Sequence, residues 1–582
     1  MDYQWNDIAT DGDVREYTND VKGEADTTGN KDYSKTNIQV EGVDEADIIK
    51  TDGDYIYSLS ESKVVITNVK DPNNIKVEST IDKGTAVPED LLLYKDKLIV
   101  ISSKSTTSNS WYYSNNNTVV TIYDTKDKSK PDLVKSFELY EPYETTRCID
   151  GNLYVFANGY LRKKEKKIDR SYEEDKETKE IKLNNIKYLD NNKSNHQTLI
   201  AEVDLNKISD IRLNSYLIDI SNAYVSKDNI YLLNRGYYNS DKIKISSLFT
   251  LKGVIGFIKD LNNDTYEERT QIYKFKINKN KGVELKETNQ VRGSIINQYS
   301  LDEKDGNLRM ALQTSKGSRI AILDKKLNLL GETSELAGGE RMYASRFMDN
   351  KAYLVTYRNT DPLFVIDLSN PKKPKVLGEL KIPGYSTYLH PYDDNHLIGI
   401  GMDTREVVNR DSSGKVISTW TRTVGMKMAL FDVSDVSNPK EIDKTTIGDE
   451  YTASAVLSNP KALLFSKEKN LIAIPVNDYK EKFQVRSSSL YEDEINNYIK
   501  NDNYIAEGYI VYDINLKGFK QKGIITHEKT SKEDDLRYFG RLLRGLYIED
   551  NLYTVSEDYI KVNKLKDLEE ISSLKVNKEG EI

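Results

Sequence analysis

The feature that most constrains this chain is a strand–turn–strand unit that recurs nine times. In its clearest copy, Asp47-Ile48-Ile49-Lys50-Thr51 runs into Asp52-Gly53-Asp54, and Tyr55-Ile56-Tyr57-Ser58-Leu59 leaves it. Apolar-rich segments on either side of an Asp-Gly pair form a hairpin, because Gly supplies the positive φ that tight hairpin turns demand. The unit returns as LLLYKDKLIVIS at 91, TTRCIDGNLYVFA at 145, AYVSKDNIYLLN at 223, SLDEKDGNLRMAL at 300, SRFMDNKAYLVTY at 345, HPYDDNHLIGIG at 390, LLFSKEKNLIAIP at 463 and GLYIEDNLYTVS at 545. The first residue after each turn falls at Tyr55, Leu98, Leu153, Ile230, Leu308, Ala352, Leu397, Leu471 and Leu552, at intervals of 43, 55, 77, 78, 44, 45, 74 and 81 residues.

A third strand follows each hairpin, as in VVITN at 64, RIAILD at 319 and LFVID at 363, and a fourth follows a turn, as in DLSNPKKPKVLGELKI at 367. Four strands on a base period of about 44 residues match the blade of a β-propeller. One such sheet cannot bury both its faces, so the copies must share cores around a ring, and closure removes the long exposed edges. The expected fold is therefore all-β, a single closed β-propeller of four-stranded blades. Nine repeats are counted, with eight blades as the alternative if the first or last copy completes a shared blade. Residues 1–35, polar and rich in Asp, Thr and Gly, are expected to be a flexible N-terminal tether. Residues 36–577 form the propeller, and 578–582 a C-terminal tail.

The longer units owe their size to Lys104–Thr118, Leu161–Gln197, Gly236–Arg269, Asp403–Gly425 and Asn477–Gly508, all between second and third strands. In a four-stranded meander those connections emerge on one side of the disc. An elaborated side opposite a plain one is the usual layout of a binding face. Within the second of these stretches, RKKEKKIDRSYEEDKETKEIK at 162 reads as a solvated charge run with helical leanings.

Composition narrows the function classes. Tyr accounts for 40 residues against 12 Phe and 3 Trp, which suits pleated surfaces with one wet edge. The 84 basic and 93 acidic residues are interspersed, so there is no nucleic-acid footprint. With mean hydropathy −0.65 and no apolar run of about 18 residues, no membrane span is expected. No basic, apolar leader precedes the first hairpin, so the protein either stays in the cytosol or has had its export signal or anchor removed. Cys148 is the single cysteine, which excludes an internal disulfide and a cysteine-built zinc site, and it reads as a small buried strand residue. The four histidines are too scattered for a zinc set.

Three groups of residues could carry chemistry. The acidic run from Glu41 to Asp47 leads into the first innermost strand and is expected at the elaborated mouth of the central channel. Its Asp44, Glu45 and Asp47 could hold a hard cation such as Ca²⁺, or could instead cap amides and pair with Arg or Lys to lock the ring. Arg147, Arg341, Arg346, His390, Arg541 and Arg544 sit near or along other innermost strands. Converging there, Arg147, Arg346, His390 and Arg544 could bind a carboxylate or phosphate, or else neutralise the acidic run across the channel. His390 reads as a hydrogen-bonded core histidine rather than a general base. Trp111, Tyr112 and Tyr113 interrupt a Ser/Asn/Thr-rich loop and could stack on sugars, form a protein-binding patch, or fold back onto the disc. No phosphate loop, G-x-S-x-G elbow or HExxH motif is present, and no catalytic residue is assigned.

NIQVEGVDEADIIKTDGDYIYSL, TDPLFVIDLSNPKKPKVLGELKIPGYSTYLHPYDDNHLIGIG and RGLYIEDNLYTVSED resemble bacterial and archaeal secreted proteins with a C-terminal β-propeller domain, distantly similar to WD40 propellers. The resemblance spans residues 36 to about 576 and implies an exported or surface-anchored propeller, without supplying catalytic residues. The expectation is a monomeric extracytoplasmic scaffold presenting its looped face to a protein or glycan. The alternatives are a Ca²⁺-assisted hydrolase or lyase at the channel mouth, and an intracellular adaptor.

Overall fold

Each recurrent hairpin forms the two inner strands of a four-stranded antiparallel sheet, and nine such sheets follow one another around a ring. The computed structural model describes residues 31–105, 116–164, 167–182, 185–187, 195–239, 266–278, 281–357, 361–478, 507–527 and 542–576. The blades span 49–82, 86–139, 143–216, 222–292, 301–332, 341–382, 385–447, 452–526 and 542–575. The fold is thus a β-propeller with nine blades, in the order the repeats predict.

Turn chemistry sets the hairpins. Asp150-Gly151 and Asp305-Gly306 adopt positive φ at both positions (48° and 77°, 54° and 77°), the type I′ geometry whose twist matches that of the flanking strands. Alternation then sends one face of each strand to each neighbouring blade. Ile99, Ile101 and Val120 of blade two pack with Leu153, Val155 and Leu199 of blade three. The same logic closes the ring, where Ile49 and Ile56 of blade one meet Tyr553, Val555 and Val562 of blade nine. Each such side chain fully removed from water contributes about 1.5–3 kcal/mol before the entropy of ordering is counted.

Two inner strands are interrupted. In blade five the 3-10 turn Gln298–Ser300 stands before the short strand Leu301–Lys304. In blade eight the inner strand is split into Thr452–Ala453 and Leu464–Ser466, both paired to Leu471–Asp478, with 3-10 turns at Ala455–Leu457 and Pro460–Ala462 between them.

In the enlarged blades the second strands end, and the third strands begin, at the end of the blade where the inner strands begin. In blade seven the connection is a ribbon, His396–Arg410 paired with Val416–Asp432, running from His396↔Asp432 out to Arg410↔Val416. The charge run at 162 is not helical. It forms the hairpins Lys163–Lys164 with Lys167–Ile168 and Ser171–Glu174 with Glu177–Glu180. The second hairpin extends the outer edge of blade two through Glu173↔Glu138 and Glu174↔Phe137. Strand wins because Tyr172 and Glu174 alternate inward, where the buried Glu174 carboxylate accepts from Lys135 at 2.5 Å, Lys179 at 2.9 Å and the Ile211 N–H at 2.9 Å.

Residues 31–35 are docked on the ring. Tyr33 bridges Ile548, the Ser34 N–H donates to the Tyr547 carbonyl at 2.9 Å, and Lys31 pairs with Asp54 at 2.8 Å. Among the described residues, no helix is long and apolar enough to cross a membrane.

Candidate functional site

From Tyr33 the chain crosses the centre of the ring before it enters blade one. Asn37 donates to the Tyr388 hydroxyl at 3.0 Å and the Pro460 carbonyl at 3.1 Å, which belong to blades seven and eight. The Gln39 amide reaches the carbonyls of Gln298 (2.8 Å) and Leu301 (3.0 Å) at blade five. Asp44↔Cys148 and Glu45↔Arg147 add a short strand to blade three, and Asp47 bridges Leu91 of blade two. The channel is therefore occupied by the protein's own backbone and by the turns that interrupt blades five and eight.

This path corrects the expected position of the acidic run. Cys148 and Arg147 lie next to the blade-three hairpin turn, at the plain end of the ring, and Tyr33 is tied to Ile548 at the corresponding end of blade nine. The run enters from the plain side, with Glu41 exposed and Glu45 and Asp47 buried along the channel, instead of standing at the elaborated mouth. Direction along the inner strand alone suggested the mouth, and nothing local marks the crossing that precedes it.

Three of the run's four carboxylates, Asp44, Glu45 and Asp47, each face a cation. Glu45, 3% exposed, stands 3.6 Å from both Arg147 and Lys461 and accepts from the Gln39 N–H at 3.1 Å. Burial alone would raise its pKa, but Arg147, Lys461 and these hydrogen bonds outweigh burial and hold the carboxyl below the usual range. Asp47 is held by Arg544, and Asp44 pairs with Lys50 at 3.0 Å. Among the described residues, no three His, Cys, Asp or Glu side chains gather as metal ligands would.

The basic candidates divide between two places. Arg147 meets Glu45 and Arg544 meets Asp47, whereas Arg346 and His390 lie together on blades six and seven. Arg346 covers the Tyr299 ring at 5.3 Å, Tyr299 packs edge-on against Tyr388 at 5.3 Å, and the Tyr388 hydroxyl stands 3.1 Å from His390 Nδ1. Burial, with Arg346 adding to it, depresses the His390 pKa to about 3, so the ring is neutral at ordinary pH. Trp111, Tyr112, Tyr113 and Arg541 lie outside the described residues.

On the elaborated side the structure assembles a group that sequence reasoning missed. Tyr343 is the third residue of the inner strand of blade six, Tyr385 begins that of blade seven, and Tyr357 ends the second strand of blade six. Their rings meet with centroids 4.5 Å (343 to 385), 4.7 Å (357 to 385) and 5.9 Å (343 to 357) apart. The Tyr357 hydroxyl lies 3.0 Å from Thr421 Oγ1 on the ribbon. The available signal was the recurrence of Tyr at strand ends facing the long loops. On the same side, Ser221, Asn222, Arg235, Thr270 and Ile295 line a cleft of ≈ 210 Å³ between blades four and five. That is below the roughly 300–1,000 Å³ of ordinary ligand pockets, so the surface suits contact across a face better than engulfment.

The beta propeller domain model matches residues 33–568, nearly the whole described ring. The chain belongs to the beta propeller domain family. This beta propeller protein is similar to an uncharacterised protein of Methanocaldococcus jannaschii, 30% identical over 516 residues (79% of this chain, 76% of that protein), and to one of Archaeoglobus fulgidus, 26% identical over 628 residues (94% and 86%). Among solved structures, BamB from Moraxella catarrhalis is similar to this beta propeller protein with a TM-score of 0.24 and 11% identity, over 51% of this chain and 81% of that one. A likeness at that level carries no argument about either fold or activity.

Proposed function

We propose that this propeller is an extracytoplasmic binding scaffold that presents its loop-elaborated face to a protein or glycan partner. One observation carries the reading. The channel is filled by the chain's own residues 33–48 and by the turns of blades five and eight, with the carboxylates Glu45 and Asp47 matched to Arg147, Lys461 and Arg544. The interior then serves cohesion, and the surface left for recognition is the side that carries the ribbon, the cleft and the tyrosines. A location outside the cytoplasm, in the manner of secreted WD40-like propellers, is consistent with the resemblance in sequence. A rigid ring bearing variable loops is the same division of labour seen wherever a scaffold positions binding residues.

The test is retention of cell-envelope proteins and glycans on the immobilised chain, compared with a variant whose ribbon residues 404–424 are replaced by a short Gly-Asn turn. Material held by the wild type and lost by the variant is the expected result, and equal retention would overturn the reading. Protease accessibility of the full-length gene product on intact cells tests the location, since protection of the whole ring would exclude an outside face.

A further inference from the structure

Three half-buried tyrosines packed into one another at a surface edge are costly to leave without purpose, because each hydroxyl seeks a partner while each ring seeks cover. Here Tyr343, Tyr357 and Tyr385 come from three strands of two blades and pack as one cluster, with ring planes inclined at 90°, 49° and 41° to one another, on the elaborated side; the half-buried ring surfaces of this cluster are its floor. Strand register fixes what surrounds that floor. Arg341 pairs directly with Tyr357, so their side chains share a face of blade six. On the ribbon, Glu406 pairs directly with Thr421, the residue whose hydroxyl meets Tyr357, and therefore stands over the same side. Arg341 and Glu406 are both exposed and hold no ion pair among the described residues. Thr404, mostly buried, contributes a further hydroxyl 3.5 Å from that of Tyr357.

We infer that Tyr343, Tyr357 and Tyr385, flanked by Arg341 and Glu406, form a binding site for a neutral carbohydrate. The inference rests on the reading of this side as the binding face and names the chemistry it takes. An aromatic face carries negative potential that attracts the weakly positive C–H bonds on one side of a pyranose ring. The sugar's hydroxyls, each both donor and acceptor, need an acceptor-only group and a donor-only group at the rim, and Glu406 and Arg341 are such a pair. Their opposite charges leave no field of one sign, so an anionic polymer gains no steering. Fixed register and mutual ring packing also mean that little is lost in ordering the site when a ligand arrives.

The experiment is calorimetric and tyrosine-fluorescence titration of the full chain with hexasaccharides of glucose, galactose, mannose and N-acetylglucosamine. At least one is expected to bind at millimolar concentration or below. Tyr385→Ala is expected to weaken that binding about tenfold or more, as loss of a central aromatic anchor does, while Tyr385→Phe retains it. Arg341→Gln and Glu406→Gln change exposed side chains outside the ring packing and are expected to weaken binding several-fold without altering thermal unfolding, which keeps the test informative even where Tyr385→Ala folds poorly. Failure of every hexasaccharide to bind, or binding unchanged in Arg341→Gln and Glu406→Gln, would overturn the inference. If no hexasaccharide binds while the full chain still captures a protein that the ribbon-deleted chain loses, the carbohydrate site falls while the scaffold reading stands.

Discussion

Asp47 and Arg544 lie 497 positions apart in sequence and meet as a buried, doubly hydrogen-bonded ion pair, with Nη2 2.7 Å and Nε 3.1 Å from the carboxylate. Their side chains are 5% and 7% exposed. The pair ties the segment that enters blade one to the inner strand of blade nine, across the closure of the ring. Burying two charges is expensive, and the fork geometry of the guanidinium together with the remaining hydrogen bonds is what offsets it.

Asp47→Ala should therefore cost about 3–5 kcal/mol, because it strands the Arg544 guanidinium in a dry site. Asp47→Leu combined with Arg544→Met should recover much of that loss. Guanidinium unfolding of the single and double variants measures both, and a single variant as stable as the wild type would show that the pair does not hold the closure.

Glu45 supplies an acid dependence. Its folded pKa lies below the unfolded value of about 4.3, so the stabilisation is complete above that value and is lost as pH falls through the folded one. Glu45→Gln should be less stable than the wild type at pH 7, by on the order of 1–3 kcal/mol, with the difference shrinking as pH drops below about 4.3. Parallel stability curves down to pH 3 would contradict this.

Glu141 should behave in the opposite sense. Burial raises its pKa to about 8, against the pull of Arg162 and with the help of Asp169, and its Oε2 has no hydrogen-bond partner among the described residues. Between about pH 4.3 and 8 the folded protein keeps a proton that the unfolded chain releases, so this residue's contribution to stability declines as pH rises through that window. Glu141→Gln should flatten the decline and leave the protein more stable at pH 8 by on the order of a few kcal/mol, as read from denaturation midpoints across the range.

Gly401 tests the support beneath the tyrosines. A Cβ there would lie 1.9 Å from the Tyr385 carbonyl oxygen and 2.6 Å from the Ser386 Cα, so Gly401→Ala must push the inner strand of blade seven away. A loss of about 1–3 kcal/mol is expected, with a changed near-ultraviolet tyrosine signal. Gly414→Ala at the ribbon tip meets no atom within 4 Å and carries only the strain of its φ of 84°, so it should cost about 1 kcal/mol or less and leave that signal alone.

The ring and its nine blades could be read from the residues because their signals are local. Asp-Gly turns and alternating strands recur at each blade, and the Asn-Pro turns before fourth strands repeat with them. The crossing of the channel left no such mark, since Asn37 and Gln39 find their partners at Tyr388, Pro460, Gln298 and Leu301. The charges of the acidic run and of Arg147 and Arg544 were legible, but which met which depends on closure. The hairpin of Glu174 was misread because Lys and Glu favour helices in isolation, and only the buried partners Lys135 and Ile211 reveal why a strand prevails. The tyrosine floor was invisible for a related reason, as its members become neighbours only when blades six and seven stand side by side.

The docking of residues 32–34 on Tyr547, Ile548 and Glu549 has a consequence for biosynthesis. A ribosome delivers the amino-terminal partner of this contact some five hundred residues before the other. Through nearly all of translation that early strand must wait unpaired while blade after blade is added. The nascent chain is exposed longest at the very place where the finished wheel is fastened.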